Sequence, residues 1–217
     1  EMVASIMEAK RLGVSKKAMV VVPKHLTEQF GAEFLRLYPS ANILVATQKD
    51  FETANRKEFC SKIATHDWDA VVMGYTQFEK IPISQERMEH SMQTQIDEIV
   101  DGIREIKAQN GDRFTIKQME IQRKKLESRL ESLKVKNADQ TLVFEDLGVD
   151  RLFVDEAHYY KNLFTATKMQ NIPGITTTDA QKTSDMYEKC RYINEITNEK
   201  GIVFATGTPI SNSMTEL

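Results

Sequence analysis

Apolar residues gather along this chain into five short, nearly unbroken runs, at 18–22, 43–46, 70–73, 152–155 and 202–205, each rich in Val, Ile, Leu or Phe. Continuous rather than alternating runs of this length mark strands buried on both faces, the pattern of a parallel sheet covered by helices. The segments 1–12, 27–37, 51–66 and about 182–198 between and around them read as helices. Strand and helix in alternation predict an α/β layered fold with right-handed crossovers. In such sheets the functional loops lie at the carboxyl ends of the strands.

The stretch 84–140 departs from this rhythm: it is highly charged and contains no Pro. Ile96, Ile99, Ile103 and Ile106, then Met119, Leu126, Leu130 and Leu133, recur at helical spacing. They predict the seam of an antiparallel helical hairpin. Gln109-Asn110-Gly111-Asp112 supplies the reversal. Thr115 is the expected N-cap of the second helix, with Gln118 completing a capping box and Phe114 stapling to Met119. These caps argue against a long solvated linker. The chain therefore divides into a sheet domain, 1–83 and 141–217, and a hairpin inserted at 84–140. The segment 171–183, with Pro, Gly and a threonine run but no periodicity, reads as a loop.

Four of the five runs end in residues suited to chemistry: Pro23-Lys24-His25, Gly74-Tyr75-Thr76, Asp155-Glu156-Ala157-His158 and Thr206-Gly207-Thr208-Pro209. A buried strand ending in adjacent carboxylates suits a nucleotide hydrolase. The first acid holds Mg²⁺, usually through water, and the second orients or deprotonates the attacking water. Thr206 and Thr208 are placed to hydrogen-bond to that acidic loop or to a nucleic-acid strand. Acidic pairs also close strands by chance, and a Gly-Pro turn can carry incidental hydroxyls. Neither segment decides alone.

In combination they resemble the first RecA-like lobe of Snf-type (Swi/Snf-like) ATPases of helicase superfamily two. Asp155-Glu156-Ala157-His158 followed by Tyr159-Tyr160-Lys161-Asn162 resembles that family's motif II. Thr206-Gly207-Thr208-Pro209-Ile210-Ser211-Asn212-Ser213 with Glu216-Leu217 resembles motif III. Val20-Val21-Val22-Pro23 with Lys24-His25-Leu26 is similar to motif Ia, and Val71-Val72-Met73-Gly74-Tyr75-Thr76-Gln77-Phe78 to motif Ib. The resemblance implies a P-loop NTPase that couples ATP hydrolysis to movement on double-stranded DNA without separating the strands. ATP and Mg²⁺ are the implied cofactors; duplex DNA and a second RecA-like lobe are the implied partners. It makes Asp155 the Mg²⁺ ligand and Glu156 the catalytic base. His158, Thr206, Gly207 and Thr208 would couple the nucleotide site to the nucleic acid. Lys24, His25, Thr76, Gln77, Lys161 and Asn162 would contact the nucleic acid, although plain solvation also accounts for Lys24 and His25. Tyr159 and Tyr160 are expected to pack beside the acidic loop, with base stacking as the alternative.

The hairpin resembles insertions in large phage- or plasmid-type proteins that join a helicase-like region to a DNA adenine methylase. A different class of reading makes the hairpin a docking module for a protein partner on a degenerate ATPase scaffold. A third, an RNA-directed DEAH helicase, is disfavoured by Lys161-Asn162 and Glu216-Leu217.

Bulk properties narrow the picture only slightly. With 217 residues, 41% hydrophobic and 28% charged, the chain suits one core with an insertion. A net charge of −3 gives no global pull toward nucleic acid or anionic lipid and leaves a local basic face open. Cys60 and Cys190 form no CxxC pair, so free thiols are expected rather than a zinc site. The sequence shows no stretch long enough to span a membrane and no signal-peptide pattern, so a cytoplasmic, bacterial or phage-encoded protein is expected. No Gly precedes Lys-Ser or Lys-Thr, so the phosphate-cradling loop is absent. Glu1-Met2-Val3-Ala4-Ser5-Ile6-Met7 reads as the helix that follows such a loop. The isolated segment is accordingly expected not to hydrolyse ATP appreciably.

Overall fold

The computed structural model describes residues 1–52, 54–108, 113–135, 142–160 and 181–208. Each apolar run forms a strand: β1 (Ala18–Val22), β2 (Ile43–Val45), β3 (Ala70–Gly74), β4 (Arg151–Val154) and β5 (Ile202–Phe204). The strands pair in the order β2-β3-β1-β4-β5, and every pairing is parallel. Helices α1 (Met2–Arg11), α2 (Thr27–Leu37), α3 (Arg56–Thr65) and α7 (Gln181–Thr197) flank the sheet, and the short α4 (Tyr75–Phe78) follows β3 directly. The expected α/β fold, consistent with a RecA-like lobe, is the fold observed.

Successive strand residues point to opposite faces, and each face has its own core. Met19, Val21, Val71, Met73, Leu152 and Val154 pack with Phe59, Cys60 and Ile63 of α3 and with Met186 and Ile193 of α7. Ala18, Val20, Val22, Val72 and Phe153 pack with Val3 and Ile6 of α1 and Phe34 of α2. Sealing one such side chain from water is worth about 1.5–3 kcal/mol. The central strands are covered on both sides, which is why their sequences do not alternate. Gly31 lets α2 lie close on β2, since a Cβ there would come within 2.6 Å of Val45 Cγ2.

Polar clasps align the strand starts. Asp150 accepts from Ser15 Oγ at 2.7 Å and from the Lys16 and Lys17 amides at 2.5 and 3.1 Å, locking the entry of β4 to that of β1. The buried Lys17 ammonium donates to the Ile63 and Leu147 carbonyls at 2.7 and 3.1 Å, and its burial lowers its pKa. Helix α3 is shorter than 51–66. Lys49–Phe51 forms a separate 3₁₀ turn in which Asp50 accepts from the Thr47 amide and hydroxyl.

The insertion folds as α5 (Gln85–Ala108) and α6 (Arg113–Val135). Ile99, Ile103 and Ile106 of α5 meet Ile116, Met119 and Leu126. Met92 and Ile96, nearer the start of α5, meet Leu126, Leu130 and Leu133. That pairing is antiparallel and uses every predicted seam residue. Helix α6 is described from Arg113, so Thr115 lies inside it rather than at its cap, and Phe114 is 60% exposed. Ile116 and Met119 pack this end of α6 on α5. The expected reversal at 109–112 lies outside the described residues, as does 171–180 of the expected loop. Residues 181–183 of that loop are helical, with Thr183 buried.

The hairpin base is tied to the sheet domain. The Ser84 amide donates to the Glu145 carboxylate at 3.1 and 3.2 Å, and Arg87 makes a two-pronged contact with Glu195 at 2.9 and 2.8 Å. Ser91 Oγ donates to Glu188 of α7 at 2.5 Å. Among the described residues no helix is long and apolar enough to cross a membrane, and both cysteines are free.

Candidate functional site

Because the strands are parallel, the ends of β1, β3, β4 and β5 open on one edge of the sheet. The acidic loop grows out of β4 there. The Asp155 amide donates to Val21 O at 2.9 Å, extending the β4 ladder by one residue, and the Ala157 amide donates to Ala205 O at 3.0 Å. Between them Glu156 takes φ +47°. This left-handed region costs a non-glycine residue about 1–2 kcal/mol. The turn is held by the Glu156 amide, which donates to Asp155 Oδ1 at 3.0 Å, and by the Tyr159 amide, which donates to Glu156 O at 2.9 Å.

The turn aims the Glu156 side chain at the end of β5. Thr206 Oγ1 donates to Glu156 Oε2 at 3.2 Å. His158 Nδ1 lies 2.9 Å from Thr206 Oγ1 and 3.2 Å from Glu156 Oε2, and the Thr208 amide donates to Thr206 Oγ1 at 3.1 Å. With Thr206 donating to the carboxylate, a proton on His158 Nδ1 satisfies both its neighbours. Thr208 Oγ1 stands 3.5 Å from the same nitrogen, and among the described residues nothing lies within 4 Å of where a Cβ on Gly207 would be. The structure thus brings together Glu156, His158, Thr206 and Thr208, fifty residues apart in sequence.

Asp155 and Glu156 are half-buried. Among the described residues neither carboxylate pairs with a Lys or Arg; the one partner of this kind is His158, opposite Glu156. Adjacent carboxylates at a rigid strand end suit Mg²⁺, which keeps several waters and binds through one or two carboxylates plus substrate phosphate. No cluster of three metal-binding side chains occurs among the described residues, so a fully protein-made cage is not available there.

The rim beyond β1 and β3 is close-set: a Cβ on Gly74 would lie 3.5 Å from Lys24 Cα. Lys24, His25 and Thr76 are exposed, and Lys24 Nζ reaches Gln48 Oε1 at 3.3 Å. The Gln77 side chain accepts from the Gly74 amide and donates to Thr47 O, both at 2.7 Å, and so braces the rim. Lys161 and Asn162 lie outside the described residues.

Sequence reasoning passed over Tyr75. Its hydroxyl donates to Asp155 O at 2.7 Å, and its ring stacks on Tyr159 with centroids 4.4 Å apart. Tyr160 is buried edge-on to both rings. The two tyrosines after the acidic loop therefore pack, as expected, instead of facing solvent as stacking platforms. A second feature was invisible in sequence. Lys189, fully buried, donates to Phe78 O at 2.8 Å and Asp185 Oδ2 at 2.6 Å beneath α4, and burial lowers its pKa. Glu79 beside it is pushed up by burial. A lysine on a helix carries no sequence mark of burial; only the four-residue spacing to Asp185 hints at it. A cavity of about 510 Å³ lies between the hairpin and α7, lined by Glu79, Met92, Leu126, Asp185 and Glu188.

A family model described as "Probable helicase domain" matches residues 1–217, the whole chain. The chain belongs to this helicase-domain family. This helicase-domain chain is also similar to the Defense against restriction protein B of Escherichia phage P1, with 26% identity over 151 residues. That match covers 68% of the chain but 6% of the phage protein, so the chain spans a small fraction of its relative's length. No solved structure matches the helicase-domain chain.

Proposed function

We propose that this chain is the first RecA-like lobe of an ATP-dependent translocase of Snf type, acting on double-stranded DNA together with a second RecA-like lobe. The observation that carries the reading is the Asp155–Glu156 pair at the end of a doubly covered parallel strand, with Glu156 held by Thr206 and His158 from the neighbouring strand end. Asp155 holds Mg²⁺, and Glu156 takes the proton from the attacking water. Bound Mg²⁺·ATP supplies the γ-phosphate as electrophile and spreads the charge that develops. Thr206 and His158 restrain the carboxylate, and Thr208 carries that restraint to the exposed edge. Lys24, His25 and Thr76 meet the DNA backbone, with Gln77 bracing them, and Lys161 and Asn162 extend the contact. The phage-protein similarity and the hairpin fit a phage-type parent with further domains, a methylase among them, and a cytoplasmic place of action. ATP hydrolysis by the full-length protein, with and without duplex DNA, tests this reading against Glu156→Gln. Turnover stimulated by DNA and lost in the variant supports it, and equal turnover in the two proteins overturns it.

A second reading is favoured by the outer face of α6. Phe114, Lys117, Ile121, Lys124 and Lys125 are exposed there, with Phe114 and Ile121 60% and 59% accessible. This face fits a protein partner with an acidic, partly apolar surface, which would make the hairpin a docking arm. Deletion of 84–140 from the full-length protein discriminates the two: lost partner binding with intact hydrolysis supports the docking role.

A further inference from the structure

None of the roles above uses the phenol of Tyr75. Its hydroxyl donates to the main-chain oxygen of Asp155, eighty residues away in sequence, at 2.7 Å. That oxygen belongs to the peptide joining Asp155 to Glu156, so the bond fixes the plane from which the left-handed Glu156 departs. A backbone in this region persists only where its surroundings over-determine it. The Asp155 side chain and the Tyr159 amide restrain the turn from within, Val21 O and Ala205 O hold its two ends, and Tyr75 adds a restraint from the end of β3.

The ring cannot swing freely. It is stacked on Tyr159 with planes 13° apart and meets Tyr160 at 80°. Tyr75 is also the first residue of α4, next to exposed Thr76 and two residues before Gln77, which is bonded to Gly74 and Thr47. Phe78 closes α4 in the core, where the buried Lys189 ammonium holds its carbonyl. These bonds anchor the rim at both ends and tie the phenol to it.

We infer that Tyr75 is a positioning residue that links the rim at Thr76 and Gln77 to the aim of the Glu156 carboxylate, through its hydrogen bond to the Asp155 carbonyl. The inference rests on the translocase reading above and specifies how the nucleic-acid edge regulates that same site. Nucleic acid seated on the rim bears on the Glu156 carboxylate through the phenol and the Asp155 carbonyl.

Tyr75→Phe in the full-length protein tests this, because it keeps the stacked ring and removes only the hydroxyl. Steady-state ATP hydrolysis is measured with and without duplex DNA, alongside DNA affinity, thermal melting and Glu156→Gln as control. The DNA-stimulated kcat is expected to fall about tenfold, the scale of one lost hydrogen bond in a transition state. The KM for ATP, the DNA affinity and the melting temperature stay at wild-type values, a split that a merely structural role would not produce. A Tyr75→Phe protein stimulated as strongly as wild type, or one whose loss follows weakened DNA binding, overturns the inference and leaves the translocase reading standing. A wild-type protein that DNA does not stimulate overturns both.

Discussion

Thr206 Oγ1 donates to Glu156 Oε2 at 3.2 Å, joining the ends of β5 and β4 at the point where the acidic side chain leaves the sheet. The bond exists because β4 and β5 are adjacent and parallel and because Glu156 adopts a left-handed backbone conformation. With β4 and β5 further apart, the same residues would not meet.

Removing that hydroxyl while keeping the branched shape, as in Thr206→Val, is expected to lower the DNA-stimulated kcat of the full-length protein about tenfold, the worth of one transition-state hydrogen bond. The KM for ATP is expected to stay unchanged, and Thr206→Ser to recover most of the rate. Steady-state kinetics on the two variants provide the check; a valine variant with wild-type kcat contradicts the role.

Glu79 offers a stability test. Burial, the first cause, raises its carboxyl pKa above 4.5; Asp185 raises it further, while Lys182, Lys189 and the Tyr160 hydroxyl oppose the rise. The folded state therefore binds this proton more tightly than the unfolded chain does. The proton's contribution to stability is complete below 4.5 and is lost as pH rises through the folded pKa. Glu79→Gln removes the ionised form, so it is expected to melt higher than wild type at neutral pH, with the gap closing below 4.5. Thermal melts across that range decide it; a variant that melts lower at neutral pH contradicts the assignment.

The hairpin base behaves in the opposite sense. Arg87, through its hydrogen bonds, holds the Glu195 carboxyl below its ordinary 4.5. That contribution is present above 4.5 and is lost as pH falls through the folded pKa. Arg87→Ala is expected to cost about 1 kcal/mol at neutral pH, the upper end for a partly exposed pair. The cost fades on acidification, and amide exchange rises at the start of α5. Unchanged exchange there would mean that Ser84 and Ser91 anchor the hairpin without it.

Much of this architecture was readable from local pattern, and the reasons are physical. The run 18–22 marks β1 because a strand covered on both faces has no polar position to alternate with. Ile99, Ile103 and Met119 mark the hairpin because a two-helix seam repeats with the helix. Asp155, Glu156, His158 and Thr206 were readable because residue type and strand end coincide. The remainder depends on contacts that periodicity does not encode. Nothing local places the Tyr75 hydroxyl on Asp155 or the Lys189 ammonium on Phe78, pairs 80 and 111 residues apart. Nor does anything local place the Gln77 side chain on Thr47, which lies on another loop. Thr115, read as a cap, lies inside α6.

The most direct test is movement itself. A duplex carrying a triplex-forming third strand, and separately a forked duplex, are given to the full-length protein with ATP and Mg²⁺. Displacement of the third strand is expected, with the forked strands staying annealed and Glu156→Gln displacing nothing. A third strand left in place by a protein that hydrolyses ATP, or one displaced equally by Glu156→Gln, would contradict translocation driven by the Asp155–Glu156 pair.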